Sequence, residues 1–256
     1  MCRMLAVLTK DNFDDEIYAD FLQLAKYGNV KPYRSEGHND GWGVAGFLGS
    51  TPVVFYKSEK GILNAEEIYF YFRTAVRKAI LSKSHFTIVH FRKASTGSVK
   101  LENTHPFVHN GWIFCHNGTV LEKDKLVVNR NFCHGETDSE MLFNFLVENI
   151  ATTINFVPKL INCIKYLKTK IKHTSYTFFL ANNEFFIVYR EYSNKFAENG
   201  DSPLWNKDYY TMYYVKTNSR IVFCSQPIDK SRWIKMKNSH LIVINKNLDI
   251  VFNKII

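Results

Sequence analysis

The feature that most constrains this chain lies at its start. Residues 3–9 (RMLAVLT) read as a buried strand, and they begin directly behind Met1-Cys2. The N-terminus is therefore pinned to a sheet, with a cysteine at the end of the strand. A cysteine there is ordinary if it is only a small buried residue. It becomes chemistry if the methionine is clipped off. Cys2 then carries a thiol and a free α-amine, and an α-amine with a pKa of about 7.7–8.0 can serve as the thiol's own base.

The rest of the chain supplies the other elements of a sheet-based fold. Apolar periodicity predicts helices over 12–28, with Asp11 or Asn12 as cap and Gly28 after the end, over 65–82, over 141–150 and over 155–171. Thr137 or Asp138 is placed to cap the third, with Glu140 completing a capping box. Strands are expected at 44–48, 53–56, 86–90 and 112–115. After the last long helix they come at 176–181, 184–189, 210–215, 221–224, 240–245 and 249–252, and residues 191–205 read as a polar loop. The 21 Phe and 14 Tyr favour sheet over bundle. With no repeat and no linker in view, the expectation is a single α+β domain over residues 1–256, its strands antiparallel.

Composition excludes several classes. No apolar run approaches the roughly 18 residues of a membrane span. The start of the chain is too briefly apolar for a signal peptide, so a cytoplasmic location is expected. Five scattered cysteines suit reduced thiols. The net charge of +9 is spread along the chain, and its densest group, Lys159 to Lys172, alternates with apolar residues at helical spacing. That is a solvated helix face, so no nucleic-acid partner is expected. The pairs Cys115-His116 and Cys133-His134 match no standard zinc spacing, and no metal or cofactor is expected.

Polar residues and glycines gather at strand ends in five places: Gly37–Gly43, His90–Gly97, Asn103–Phe107, His116–Gly118 and Thr137-Asp138. Each alone reads as a turn, a surface charge or a cap. Taken in order behind Cys2, they resemble the class II glutamine amidotransferases, members of the N-terminal-nucleophile hydrolase superfamily. The resemblance covers about the first 150 residues. Gly37-His38-Asn39-Asp40-Gly41-Trp42-Gly43 and the later Cys224-Ser225-Gln226-Pro227-Ile228 are similar to the stand-alone branch without a fused synthase domain, with Gln226 and Ile228 departing from its usual run.

That resemblance implies a four-layer αββα sandwich of antiparallel sheets. It also implies roles. Cys2 is the nucleophile on a side-chain amide, and the Asn117 side chain and Gly118 N–H are the oxyanion hole. Arg92 grips the substrate α-carboxylate with help from Ser95 and Thr96, the latter a place where His is common in relatives. Asp138 holds the ammonium, and His105 lines the pocket or serves as a structural loop histidine. Lys93 departs from the bulky apolar residue of synthase-linked relatives. Asp40, Gly41, Trp42 and Gly43 are expected to form a lid, since glycines flank Trp42.

The activity implied is cleavage of the γ-amide of glutamine through a γ-glutamyl thioester, with ammonia released, in some settings to a separate ammonia-accepting or peptidase partner protein. A γ-glutamyl peptide or metabolite hydrolase uses the same head-group clamp. A regulatory or binding protein of the same fold is the alternative of another class, and the intact set Cys2, Arg92, Asn117, Gly118 and Asp138 argues against it.

Overall fold

The computed structural model describes residues 2–10, 15–31, 37–150, 155–198 and 201–256, and in it the strand behind Cys2 lies near the middle of a sheet. This strand, β1 (Arg3–Thr9), pairs on one side with β4 (Phe86–Phe91) and on the other with β10 (Arg220–Cys224). β2 (Trp42–Leu48) and β3 (Thr51–Ser58) extend the sheet beyond β4, and β9 (Tyr213–Lys216) and β11 (Ile234–Lys235) extend it beyond β10. A second sheet runs in the order β13 (Ile250–Ile255), β12 (His240–Asn245), β8 (Phe185–Arg190), β7 (Thr177–Ala181), β6 (Trp112–Asn117), β5 (Phe107–His109). The pairings within both sheets are antiparallel.

Strand alternation sorts the side chains into layers. Met4, Ala6 and Leu8 of β1 join Ile113, Cys115 and Phe179 in the layer between the sheets. Leu5 and Val7 face Phe21 of α1 (Glu16–Tyr27) and Phe72 of α2 (Glu66–Leu81). On the other sheet, Phe114, Phe178 and Ile187 face Leu146 of α3 (Asp138–Ile150) and Leu160 of α4 (Phe156–Lys170). The result is the expected αββα sandwich.

The helix caps expected at Asp11 or Asn12 lie outside the described residues, as do Met1, Ser35 and Glu36. Gly28 follows α1 and returns its N–H to Leu24 O at 3.1 Å. Thr137 does cap α3, its Oγ1 accepting the Glu140 N–H at 3.2 Å. Glu140 does not complete the box. Its carboxylate takes the N–H groups of His134 and Gly135 at 2.9 and 2.7 Å. Strand β2 starts at Trp42, two residues before the expected position, because Trp42 still pairs with Phe91. The strand expected from 210 starts at Tyr213, since residues before it close a short turn of helix, α5 (Asn206–Tyr209).

Candidate active site

The start of β1 and the end of β4 lie side by side, because Arg3 pairs with Phe91. Cys2 therefore comes level with the loop that follows β4. Its Sγ lies 3.5 Å from Lys93 N and 3.7 Å from Lys93 O. Burial pushes this thiol up from its ordinary value, while the Lys93 N–H and the charges of Arg92 and Arg3 pull it back. Ser225 fixes the strand behind it: its Oγ accepts the Met4 N–H at 3.1 Å and its own N–H goes to Met4 O at 3.0 Å. The Cys224-Ser225 run drew attention in the sequence, but without a role. It holds β1, the strand that begins behind Cys2.

Arg92 is buried, and its guanidinium is spent partly on its own loop. Nη1 donates to Ser98 O at 3.1 Å, and Nη2 to Thr96 O at 3.2 Å and Gly97 O at 3.4 Å. Cys2, Asp40 and Asp138 all lie within its electrostatic reach. Thr96 thus meets Arg92 through its carbonyl. Ser95 Oγ lies 3.3 Å from Thr119 Oγ1, which joins the loop after β4 to the loop after β6.

Residues 40–43, expected as a lid, pack against the body of the protein in this structure. Asp40 and Gly41 clamp the loop after β4 from the side: Asp40 Oδ2 accepts the Ala94 N–H at 2.8 Å, and Gly41 O accepts the Arg92 N–H at 2.8 Å. Trp42 is 0% exposed, stacked on Tyr56 with ring centroids 5.1 Å apart and edge-on to Phe72 at 5.6 Å. Gly43 is glycine because a Cβ would strike the His105 carbonyl and Pro106 Cδ. These glycines permit close packing.

At the end of β6, Asn117 is fully buried, and neither Nδ2 nor Oδ1 has a hydrogen-bond partner among the described residues. The next residue, Gly118, has no room for a side chain, since a Cβ would collide with Ser175 O and His116 Nε2. His116 is locked by Ser139 Oγ at 2.9 Å and Ser175 O at 3.0 Å, and burial holds its pKa down to about 4. Two residues on, the Val120 N–H donates to Asp138 Oδ2 at 2.7 Å. Burial raises the Asp138 carboxyl to about 6 despite that bond.

His105 stacks against His90 with centroids 4.3 Å apart, and both are buried. His90 faces the layer between the sheets, as Phe86 and Ile88 of the same strand do. In the sequence it opened the His90–Gly97 cluster without a role of its own. The Cys115-His116 pair cannot chelate together, because Cys115 faces the layer between the sheets and His116 the opposite face of β6. Among the described residues no three His, Cys, Asp or Glu side chains converge as metal ligands, and no helix is long and apolar enough to cross a membrane.

Known proteins resemble this chain in sequence and in fold. The profile of glutamine amidotransferases class-II matches residues 1–252. A protein of Haemophilus influenzae, provisionally named a glutamine amidotransferase, is 28% identical over 219 residues, covering 78% of this chain and 71% of its own length. Among solved structures, a glutamine aminotransferase class-II domain protein from Silicibacter pomeroyi superposes with a TM-score of 0.57 at 17% identity, over 95% of both chains. The glutamine phosphoribosylpyrophosphate amidotransferase of Bacillus subtilis superposes with a TM-score of 0.58 at 18% identity, over 95% of this chain and 47% of that enzyme. At such identities these two structures speak for the fold. Together with the profile match, they establish that the chain belongs to the class II glutamine amidotransferases and has their N-terminal-nucleophile hydrolase fold.

Proposed function

We propose that this protein is a glutaminase-type amidohydrolase in which Cys2, exposed by removal of Met1, cleaves the γ-amide of glutamine. The observation that carries this reading is Asn117. A buried amide left without partners costs about 1–3 kcal/mol, and such a cost persists where a ligand supplies the missing partner. Asn117 Nδ2 and the Gly118 N–H are suited to an oxyanion formed at Cys2, and no larger residue fits at 118.

The proposed reaction uses the thiol of Cys2 and its own α-amine. The α-amine of Cys2 takes the thiol proton, and sulfur bonds to the side-chain amide carbon, Cδ, while the carbonyl oxygen becomes an oxyanion. Collapse of that intermediate breaks the C–N bond, and the proton held by the amine goes to the leaving nitrogen, giving ammonia and a thioester. Water then attacks the thioester. Its proton passes through the amine to sulfur, and glutamate leaves. Arg92, preset by its loop carbonyls, takes the α-carboxylate with Ser95 and Thr96 beside it, and Asp138 takes the ammonium.

The test is the intact mass of protein purified under reducing conditions, measured alongside glutamate and ammonia formed from glutamine. Active protein lacks Met1, and a glutamine-like diazo-ketone labels Cys2 and none of the other four cysteines. Turnover by protein that fully retains Met1, or label on Cys115 or Cys133, overturns the mechanism. A γ-glutamyl anilide assayed beside glutamine reports whether larger amines can leave.

A further inference from the structure

The loop that presets Arg92 does not stand alone. Ser98 O, which accepts Arg92 Nη1 at 3.1 Å, also accepts Asn103 Nδ2 at 3.0 Å. The same amide is tied to the segment ahead of α3: Nδ2 donates to Glu136 Oε1 at 3.2 Å, and Oδ1 accepts the Glu136 N–H at 2.9 Å. Glu136 binds the loop from its own side. Its Oε1 accepts the Ser98 N–H at 2.9 Å and the Ser98 hydroxyl at 2.6 Å. Between these ties Gly97, whose carbonyl accepts Arg92 Nη2 at 3.4 Å, lies against the helix start. A Cβ on Gly97 would come within 3.2 Å of Thr137 Cγ2 and 3.0 Å of Asn103 Nδ2. Thr137 is followed by Asp138, whose charge reaches the Arg92 guanidinium. The loop that carries the cation and the helix start that carries the carboxylate are thus one hydrogen-bonded unit. Asn103, which is buried at its centre, opened one of the five polar clusters in the sequence and had no role there.

We propose that Asn103 and Glu136 are positioning residues that fix the span between Arg92 and Asp138, so that the pair takes a carboxylate and an ammonium borne on one carbon and refuses a head whose two groups are set further apart. The inference rests on the glutamine-type reading above and deepens it: the substrates are γ-glutamyl compounds with a free α-amino-acid head. A guanidinium and a carboxylate on separate mobile segments would each follow its own group, and ordering them would weaken binding. Held at one span, they act together only on a ligand whose groups match it. The Ser98 hydroxyl and N–H and the Asn103 amide hold the Glu136 carboxyl down to about 2, so this tie is intact wherever Asp138 is ionised.

The experiment is calorimetric binding of L-glutamate and of β-glutamate, whose amine sits one carbon further along, to wild type, Asn103→Ala and Glu136→Ala, with kcat and KM for glutamine measured on all three. Wild type is expected to favour glutamate. Each variant should narrow that ratio by about tenfold and raise KM by about tenfold, with kcat within about twofold of wild type, because Cys2, Asn117 and Gly118 are untouched. Glu136 is exposed, so Glu136→Ala carries the test should Asn103→Ala not fold. Variants that lose kcat and melting temperature but keep KM and the ligand ratio overturn the proposal, since that is what a merely structural tie does. A wild type that favours glutamate, with variants that keep the same ratio and the same KM, overturns the part of Asn103 and Glu136 alone. A wild type that binds neither ligand overturns the clamp of Arg92 and Asp138 itself, and the span with it.

Discussion

His90 and His105 face each other inside the sandwich with ring centroids 4.3 Å apart and planes 32° from parallel, and none of their four ring nitrogens has a hydrogen-bond partner among the described residues. Burial holds His90 down to about 3 and His105 well below its ordinary 6.5. Both stay neutral where an unfolded histidine takes a proton. As pH falls below about 6.5, the unfolded chain therefore binds protons that the native fold refuses, and stability falls by up to about 1.4 kcal/mol per pH unit for each such group. Urea unfolding at about pH 7 and about pH 5 should show this loss, and His90→Gln should flatten the slope by about one proton. A slope unchanged in His90→Gln would mean that the folded His90 titrates as it does in the unfolded chain.

Asp138 behaves with the opposite sign. Its carboxyl is raised from 3.8 to about 6, so the protonated form favours the fold below about 3.8, and that contribution is lost as pH rises through about 6. Seating an ammonium needs the ionised form. On the acid side, kcat/KM for glutamine should fall through an apparent pKa near 6. Asp138→Asn keeps an oxygen for the Val120 N–H, so it should fold, lose most of kcat/KM and lose this limb. A limb at the ordinary carboxylate position in wild type would remove Asp138 from the role.

Asn117 should separate activity from stability. Asn117→Leu removes a buried amide that has no partners and puts an apolar side chain in its place, so the melting temperature should hold or rise. Removing an oxyanion donor should lower kcat by about 10²–10³. If stability instead drops with activity, the Asn117 amide is bonded in the resting fold, and the observation behind the proposed function fails.

The sequence made most strands and helices legible because their periodicities are local, while the four layers were implied by the family resemblance. Residues 3–9 read only as a buried strand, and strand geometry then sends Met4, Ala6 and Leu8 to one face of the sheet and Leu5 and Val7 to the other. The site clusters were legible because polar residues and glycines at strand ends interrupt that alternation. What could not be read was set by partners far along the chain. The neighbours of β1 are β4 and β10, more than 200 residues apart in the second case, and Lys31 meets Asp201 across 170 residues. The short α5 carries too few residues for any period to show. Glycines on both sides of Trp42 look like hinges in one dimension, whereas in three Gly41 packs on Ser58 O and Thr104, and Gly43 on His105 and Pro106.

That last difference can be measured. Trp42 packs among Tyr56 and Phe72 in the layer between the first sheet and its helices, and no part of its surface is exposed. Cutting a buried tryptophan back to alanine removes its apolar contacts and leaves a cavity that a close-packed layer only partly fills, at a cost of about 3–5 kcal/mol. For a chain of this size each kcal/mol lowers the melting temperature by about 2–4 °C, so Trp42→Ala should melt about 6–20 °C below wild type. Trp42→Phe should lose less, because it keeps a ring for Tyr56. The fraction still folded at low temperature should cleave glutamine and a γ-glutamyl anilide in the wild-type ratio, since Asp40 and Gly41 hold the Arg92–Ala94 loop through backbone and carboxylate, without the Trp42 ring. A lid predicts the reverse: an unchanged melting temperature with a ratio shifted towards the anilide. Thermal melts and paired kcat/KM values on the same two variants decide between a core tryptophan and a gate.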